Sequence, residues 1–289
     1  MAKVTKMCSE GRNRPVFICD FSPPRGANPS LLDGALSVDA DFLCVAYSPG
    51  KSVRVDSVIA AHAIRQEVGK DVVFTIATRD MNKLAIQNHL LGASLLGLDN
   101  LIVVGGDGFT ERDLTMVKDV SDFTPTGLIA AIKSMNQGTD YRGLNLRSST
   151  DFCVGATIDL GRDIDREARL THRKAVAGAD FFITQPVYHL NKVERFKESY
   201  ESAAGEKLSS PLFLGLQVLD AKGLIFGEVP EGIREDLDGG RDGTDIAIEL
   251  LHQFVAEGVT NIYLVPPILR GGLRDYEAAQ RVLEASQSI

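Results

Sequence analysis

The chain has 289 residues, 44% of them hydrophobic and 24% charged, with a formal net charge of −8. That length and apolar fraction suffice for one large core or two small ones, while an acidic balance without basic blocks argues against nucleic acid or any other polyanion as partner. No apolar run nears the roughly 18 residues of a membrane helix and the first residues lack a hydrophobic signal core, so a cytoplasmic protein acting on a small molecule is expected, with no membrane partner.

After an N-terminal extension, 1–14, the first apolar run, 16–19, ends at Asp20 and is followed by Phe21-Ser22-Pro23-Pro24-Arg25. A diproline fixes two φ angles and removes two backbone donors, so the chain leaves the strand along one path and Asp20 is held at a rigid turn. Further apolar runs follow at 42–47, 72–77, 101–104, 152–156, 181–184, 212–216 and 262–265, eight in all. Their continuous apolarity, without alternation, fits parallel strands buried on both faces.

Amphipathic stretches at 52–68, 82–96, 126–135, 166–177, 191–202 and 244–256 lie between them, with Gly69, Gly97, Gly178 and Gly258 near their ends. Eight β/α units without a linker or short repeat predict an α/β fold, a single (β/α)8 TIM barrel domain over 1–289, with a doubly wound open sheet as the alternative. In a barrel the chemistry gathers where strands end. Those ends carry Asp20, Tyr47, the 75–80 segment, Gly106-Asp107, the 157–159 segment, Gln185, Gln217 and Pro266-Pro267.

Cys8, Cys19, Cys44 and Cys153 show no CxxC spacing and read as core residues. His62, His89, His172, His189 and His252 form no HExxH or i, i+4 pair, so no metal is expected. The absence of a GxSxG elbow, a P-loop and a GxGxxG after the first strand disfavours serine hydrolases, NTPases and ordinary Rossmann dehydrogenases.

Pro23-Pro24-Arg25 after an acidic strand end, Gly106-Asp107 closing the fourth run, and Arg173-Lys174 followed by Gly178-Ala179-Asp180-Phe181-Phe182-Ile183-Thr184-Gln185 together resemble the methylenetetrahydrofolate reductase family, in register from about 16 to about 282. The resemblance implies a TIM barrel that reduces 5,10-methylenetetrahydrofolate to 5-methyltetrahydrofolate with NADH or NADPH and, in most members, bound FAD. It puts Asp20 where the family has its catalytic Glu, Asp107 where an Asp meets the pterin, Gln185 where a Gln holds the folate, Tyr188 near an aromatic that stacks on it, and Lys174 at a basic residue near the flavin. Gln217 joins the substrate-binding candidates, and Thr75 and Gly106 join Lys174 as cofactor-binding candidates.

Elementary chemistry assigns compatible roles. Opening the methylene bridge requires protonation at a nitrogen to give an iminium that accepts hydride, which suits a carboxyl group as general acid. An amide such as Gln185 matches the mixed donor–acceptor edge of a pterin, and Asp107 can accept from its N–H groups.

Two departures modify the expectation. Asp20 in place of Glu retracts the carboxylate by roughly 1.5 Å. Ala46, Thr75, Gly105, Ala156 and Leu160 stand where the family carries Thr, His, Arg, Tyr and His against FAD, which predicts weak or absent flavin and direct hydride transfer from the nicotinamide. A pterin-dependent methyltransferase barrel and a non-catalytic folate-binding subunit are the alternatives. Homo-oligomerisation stays open.

Overall fold

The computed structural model describes residues 1–288. Eight parallel strands close into a barrel in the order β1 to β8: β1 (Val16–Phe21), β2 (Phe42–Val45), β3 (Val72–Ala77), β4 (Asn100–Val104), β5 (Cys153–Ile158), β6 (Phe181–Pro186), β7 (Leu212–Gln217) and β8 (Asn261–Val265). The helices in chain order are α1 (Val4–Ser9), α2 (Ser57–Val68), α3 (Lys83–Leu95), α4 (Glu111–Leu114), α5 (Pro125–Asn136), α6 (Ile164–Val176), α7 (Leu190–Ala204), α8 (Glu231–Asp238), α9 (Gly243–Ala256) and α10 (Tyr276–Ala285). The single TIM barrel is as expected from the eight apolar runs, and the open-sheet alternative falls because β1 pairs with both β2 and β8.

Strand parity divides the apolar residues into two cores, because successive side chains on a strand point to opposite faces. Val16, Ile18, Phe42, Cys44, Val73, Ile102, Phe181 and Phe213 fill the barrel interior. Phe17, Cys19, Leu43, Phe74, Val103, Val154, Phe182 and Leu214 pack outward against the helices. Gly155 makes room for an inner aromatic, since a Cβ there would lie 2.4 Å from the Phe181 ring.

The N-terminal extension is a plug. Val4 is fully buried, and Ala2, Met7 and Cys8 pack against the inner core at the N-terminal end of the strands. Asn100 fastens it, accepting from the Val4 N–H at 3.1 Å and donating to the Ala2 carbonyl at 2.8 Å. One end of the barrel is thereby sealed, leaving the C-terminal mouth for ligands.

Helix boundaries follow the caps more closely than the apolar period. The stretch expected as helix from 52 begins at Ser57, because Asp56 accepts from the N–H groups of Val58 and Ile59. The stretch expected from 166 begins at Ile164, because Asp163 caps it.

Candidate active site

Asp20, at the C-terminal end of β1, has the inward parity of Val16 and Ile18. Its carboxylate is almost buried and accepts two hydrogen bonds: Oδ1 from the Tyr263 hydroxyl at 3.1 Å and Oδ2 from Arg274 Nε at 3.1 Å. Burial, reinforced by the Asp20 charge, raises Tyr263 far above an ordinary phenol, which keeps it a neutral donor. Burial likewise pushes the adjoining Cys44 thiol up to about 12, so it is no nucleophile. Thr75 lies in this inner layer, its hydroxyl 3.6 Å from the Cys44 sulfur.

The loops after β7 and β8 fold back over the mouth and pair with each other through the Leu224–Ile268 bridge, and the β8 loop closes on itself through the Ile268–Arg274 bridge. Gln217 holds this roof, donating from Nε2 to the Leu224 carbonyl at 2.8 Å and accepting at Oε1 from the Phe226 N–H at 2.9 Å. Gln217, expected at the substrate, is buried with both polar atoms of its amide bonded to its own loop, which it positions. Tyr188 also braces the roof, its hydroxyl donating to the Phe226 carbonyl at 3.0 Å.

Two clefts open beside the roof. The smaller, about 280 Å³, is lined by Gln185, Tyr188, His189, Lys192, Phe226 and Glu228 among others. The larger, about 690 Å³, lies between Gly105-Gly106, the start of α5 at Thr124–Gly127, and Arg162, Arg173 and Lys174. Asp159, Arg162 and Gln185 line both, so the two spaces adjoin.

Gln185 is exposed at this junction, where the β6–β7 register shifts between Ile183 and Pro186. Such an irregularity re-aims a side chain at a strand end. The Thr184 hydroxyl accepts from the Gly215 N–H at 2.8 Å, and so satisfies the donor beside the irregularity.

The three principal candidates do not share one open cavity. Gln185 lines the clefts, Asp20 lies under Arg274 and lines neither, and Asp107 is exposed on the loop after β4. That loop is tied by Arg79, whose Nη1 donates to the Asp107 carbonyl at 2.7 Å. Thr75, expected at a cofactor, sits within the barrel and lines neither cleft. Gly106 lines the larger one with a φ of 81° that favours glycine.

Arg79 grips Asp80 with two bonds of 2.7 and 2.8 Å, and this pairing holds the Asp80 carboxyl below its usual range. A carboxyl lowered by folding contributes stability above its unfolded value, about 3.9, and loses it as pH falls through the lower native value. Asp80→Asn should therefore cost about 2 kcal/mol at neutral pH. Urea unfolding of both proteins checks this: the gap between them should shrink below about pH 4.

An FAD implied by the resemblance finds a poor match. Neither an aromatic ring nor an imidazole lines the larger cleft, so a flavin there would find no ring to stack on. The Lys174 ammonium is already bound to the Thr157 carbonyl at 2.5 Å and to Glu167 at 3.6 Å, and its burial lowers its pKa. Ala156 belongs to the outer core, so its expected place beside a flavin is corrected by strand parity, whereas Leu160, past the end of β5, lines the smaller cleft. The inward positions on β5 are Cys153, Gly155 and Thr157.

Sequence reasoning missed Arg274 and Tyr263, the two partners of Asp20. The only sequence signal near them was the Pro266-Pro267 strand end.

The sequence is matched over residues 4–266 by a family model described as methylenetetrahydrofolate reductase. Among solved structures, the fold is similar to an uncharacterized protein from Clostridium thermocellum that binds two copies of 5-methyl-5,6,7,8-tetrahydrofolic acid, with a TM-score of 0.65 and 16% identity over 96% of each chain. It also matches dihydropteroate synthase from Thermus thermophilus in complex with 4-aminobenzoate, with a TM-score of 0.47 and 14% identity over 96% of this chain and 95% of that one. Among the described residues, no helix is long and apolar enough to cross a membrane and no group of three or more His, Cys, Asp or Glu could hold a metal.

Proposed function

Because the chain belongs to the methylenetetrahydrofolate reductase family, we propose that it binds a reduced folate at the C-terminal mouth and reduces 5,10-methylenetetrahydrofolate to the 5-methyl form with NADH or NADPH. The observation that carries the reading is the inward carboxylate of Asp20 at the end of β1, held by Tyr263 and Arg274 next to the roofed mouth. Folate as the ligand class is further supported by the folate-binding neighbour of the same fold.

In this reading Asp20 donates a proton to N10 of the methylene bridge. The C–N10 bond breaks to leave an N5 iminium, and hydride from the nicotinamide adds to the methylene carbon, giving 5-methyltetrahydrofolate and the oxidised nucleotide. Tyr263 holds the carboxyl oriented, and Arg274 must move off it before the acid can meet the substrate. Gln185 and Tyr188 orient the pterin beside the smaller cleft, and Asp107 reaches it only if its loop closes inward. The larger cleft, with Arg162 and Arg173, takes the nicotinamide nucleotide. No step runs through a flavin, because the larger cleft offers it neither an aromatic ring nor a free buried cation.

The test is purification followed by steady-state kinetics. Expected are a colourless or flavin-poor protein, nicotinamide oxidation only when methylenetetrahydrofolate is present, and intersecting rather than parallel double-reciprocal lines. A yellow protein with stoichiometric FAD that the nicotinamide bleaches before folate is added overturns the direct transfer. The Asp20–Arg274 ion pair favours a second reading, a folate-binding protein without turnover, since it occupies the only candidate acid. Tight folate binding with no nicotinamide oxidation would select it.

A further inference from the structure

We propose that Arg25, Arg54 and Arg274 form an anion-binding subsite on the β1–β8 side of the mouth, taking a carboxylate or phosphate group of the bound ligand. The proposal rests on the folate reading for the identity of that ligand. The three residues come from the loops after β1, β2 and β8, so the fold gathers them and the sequence does not.

Arg274 donates from Nε to Asp20 and from Nη1 to the Gly272 carbonyl at 3.3 Å, and Nη2 makes no hydrogen bond among the described residues. Arg54 donates from Nε to the Ser52 hydroxyl at 3.0 Å and from Nη1 to the Pro23 carbonyl at 2.9 Å. Its Nη2 approaches the Gly272 backbone, only 3.0 Å from where a Cβ on that residue would stand, which brings it against the Arg274 loop. Arg25 is exposed and makes no ion pair or side-chain hydrogen bond among the described residues.

Asp20 is the only carboxylate, among the described residues, that pairs with any of the three. Three guanidinium groups against one carboxylate leave the cluster with an excess of two positive charges. The Pro23 and Pro24 carbonyls accept from Arg54 Nη1 and the Val55 N–H, which sets the Arg25 loop beside Arg54, and burial first, then Arg274 and Arg25, lower the Arg54 guanidinium from its ordinary value. Like charges held together without counter-charge are relieved by an anion, and planar guanidinium forks suit carboxylate or phosphate oxygens.

Two anions are available from the proposed substrates: the glutamyl carboxylates of the folate and the diphosphate of the nicotinamide nucleotide. Either would compete with Asp20 for Arg274, so arrival of the anion is also what uncovers the acid.

The experiment is calorimetric binding of four probes to the wild type and to the Arg25→Met and Arg54→Met proteins: 5-methyltetrahydrofolate, 5-methyltetrahydropteroate, NADH and reduced nicotinamide riboside. If the glutamyl group is the anion, wild type binds the folate at least tenfold more tightly than the pteroate, and both substitutions collapse that ratio while leaving pteroate affinity unchanged. If the diphosphate is the anion, the same collapse appears between NADH and the riboside. Ratios equal in all three proteins overturn the subsite and leave the folate reading standing. If wild type binds none of the four, the folate reading falls. The subsite is then judged by inorganic pyrophosphate, which should raise the unfolding temperature of the wild type and not of the Arg25→Met/Arg54→Met protein; no difference overturns it.

Discussion

Asp20→Asn is expected to lower turnover of methylenetetrahydrofolate about 100-fold or more while folate binding changes little, because the amide keeps the shape of the carboxyl group and cannot supply the proton. The structure adds a cost that the near-isosteric shape hides. Arg274 and Asp20 are a nearly buried pair, with side chains 7% and 10% exposed. Removing one charge of such a pair leaves the other uncompensated, at about 3–5 kcal/mol. Urea unfolding should show that loss in Asp20→Asn and a partial recovery in Asp20→Asn/Arg274→Met. Catalysis should stay at the low level in both, since the proton donor is missing from each. Turnover above one tenth of wild type in either protein places the acid elsewhere.

Gly215→Ala should damage stability and folate binding together. A Cβ at this position would stand 2.6 Å from the Gln185 carbonyl oxygen and 2.8 Å from the Pro186 nitrogen, both backbone atoms that cannot rotate away. The β6–β7 irregularity must then open, which costs about 2–3 kcal/mol by the usual scale of overpacking. Because Gln185 is carried on that same backbone, folate affinity should fall roughly tenfold, a loss of about 1.4 kcal/mol. Thr184→Val is the comparison. It leaves the Gly215 N–H without its hydroxyl partner, at about 1–3 kcal/mol, yet adds no atom between the strands. Equal folate affinity in wild type and Gly215→Ala, measured on protein confirmed folded, would show that Gln185 does not hold the ligand.

The sequence by itself determined eight buried parallel strands alternating with helices and which strand ends carry polar groups, while the β1–β8 pairing decided that they close into a barrel. Eight continuous apolar runs separated by amphipathic helices read as buried parallel strands, and that periodicity is local, so it survives reading one residue after another. The diproline after Asp20 and the family motif ending at Gln185 were legible for the same reason. What only the tertiary structure decided is where those groups point and what already occupies them. Tyr263 and Arg274 meet Asp20 across 243 and 254 residues of chain, a pairing set by barrel closure between β1 and β8 and by the roofing loops. Gln217 looked free at a strand end and is spent on its own loop. Ala156 looked like a lining position and faces outward, because a shift of one residue along a strand exchanges the two faces. The arginine cluster likewise joins three loops that are adjacent only once the sheet has closed, since bringing distant charges together is the work of the whole packed fold and leaves no trace in the local pattern.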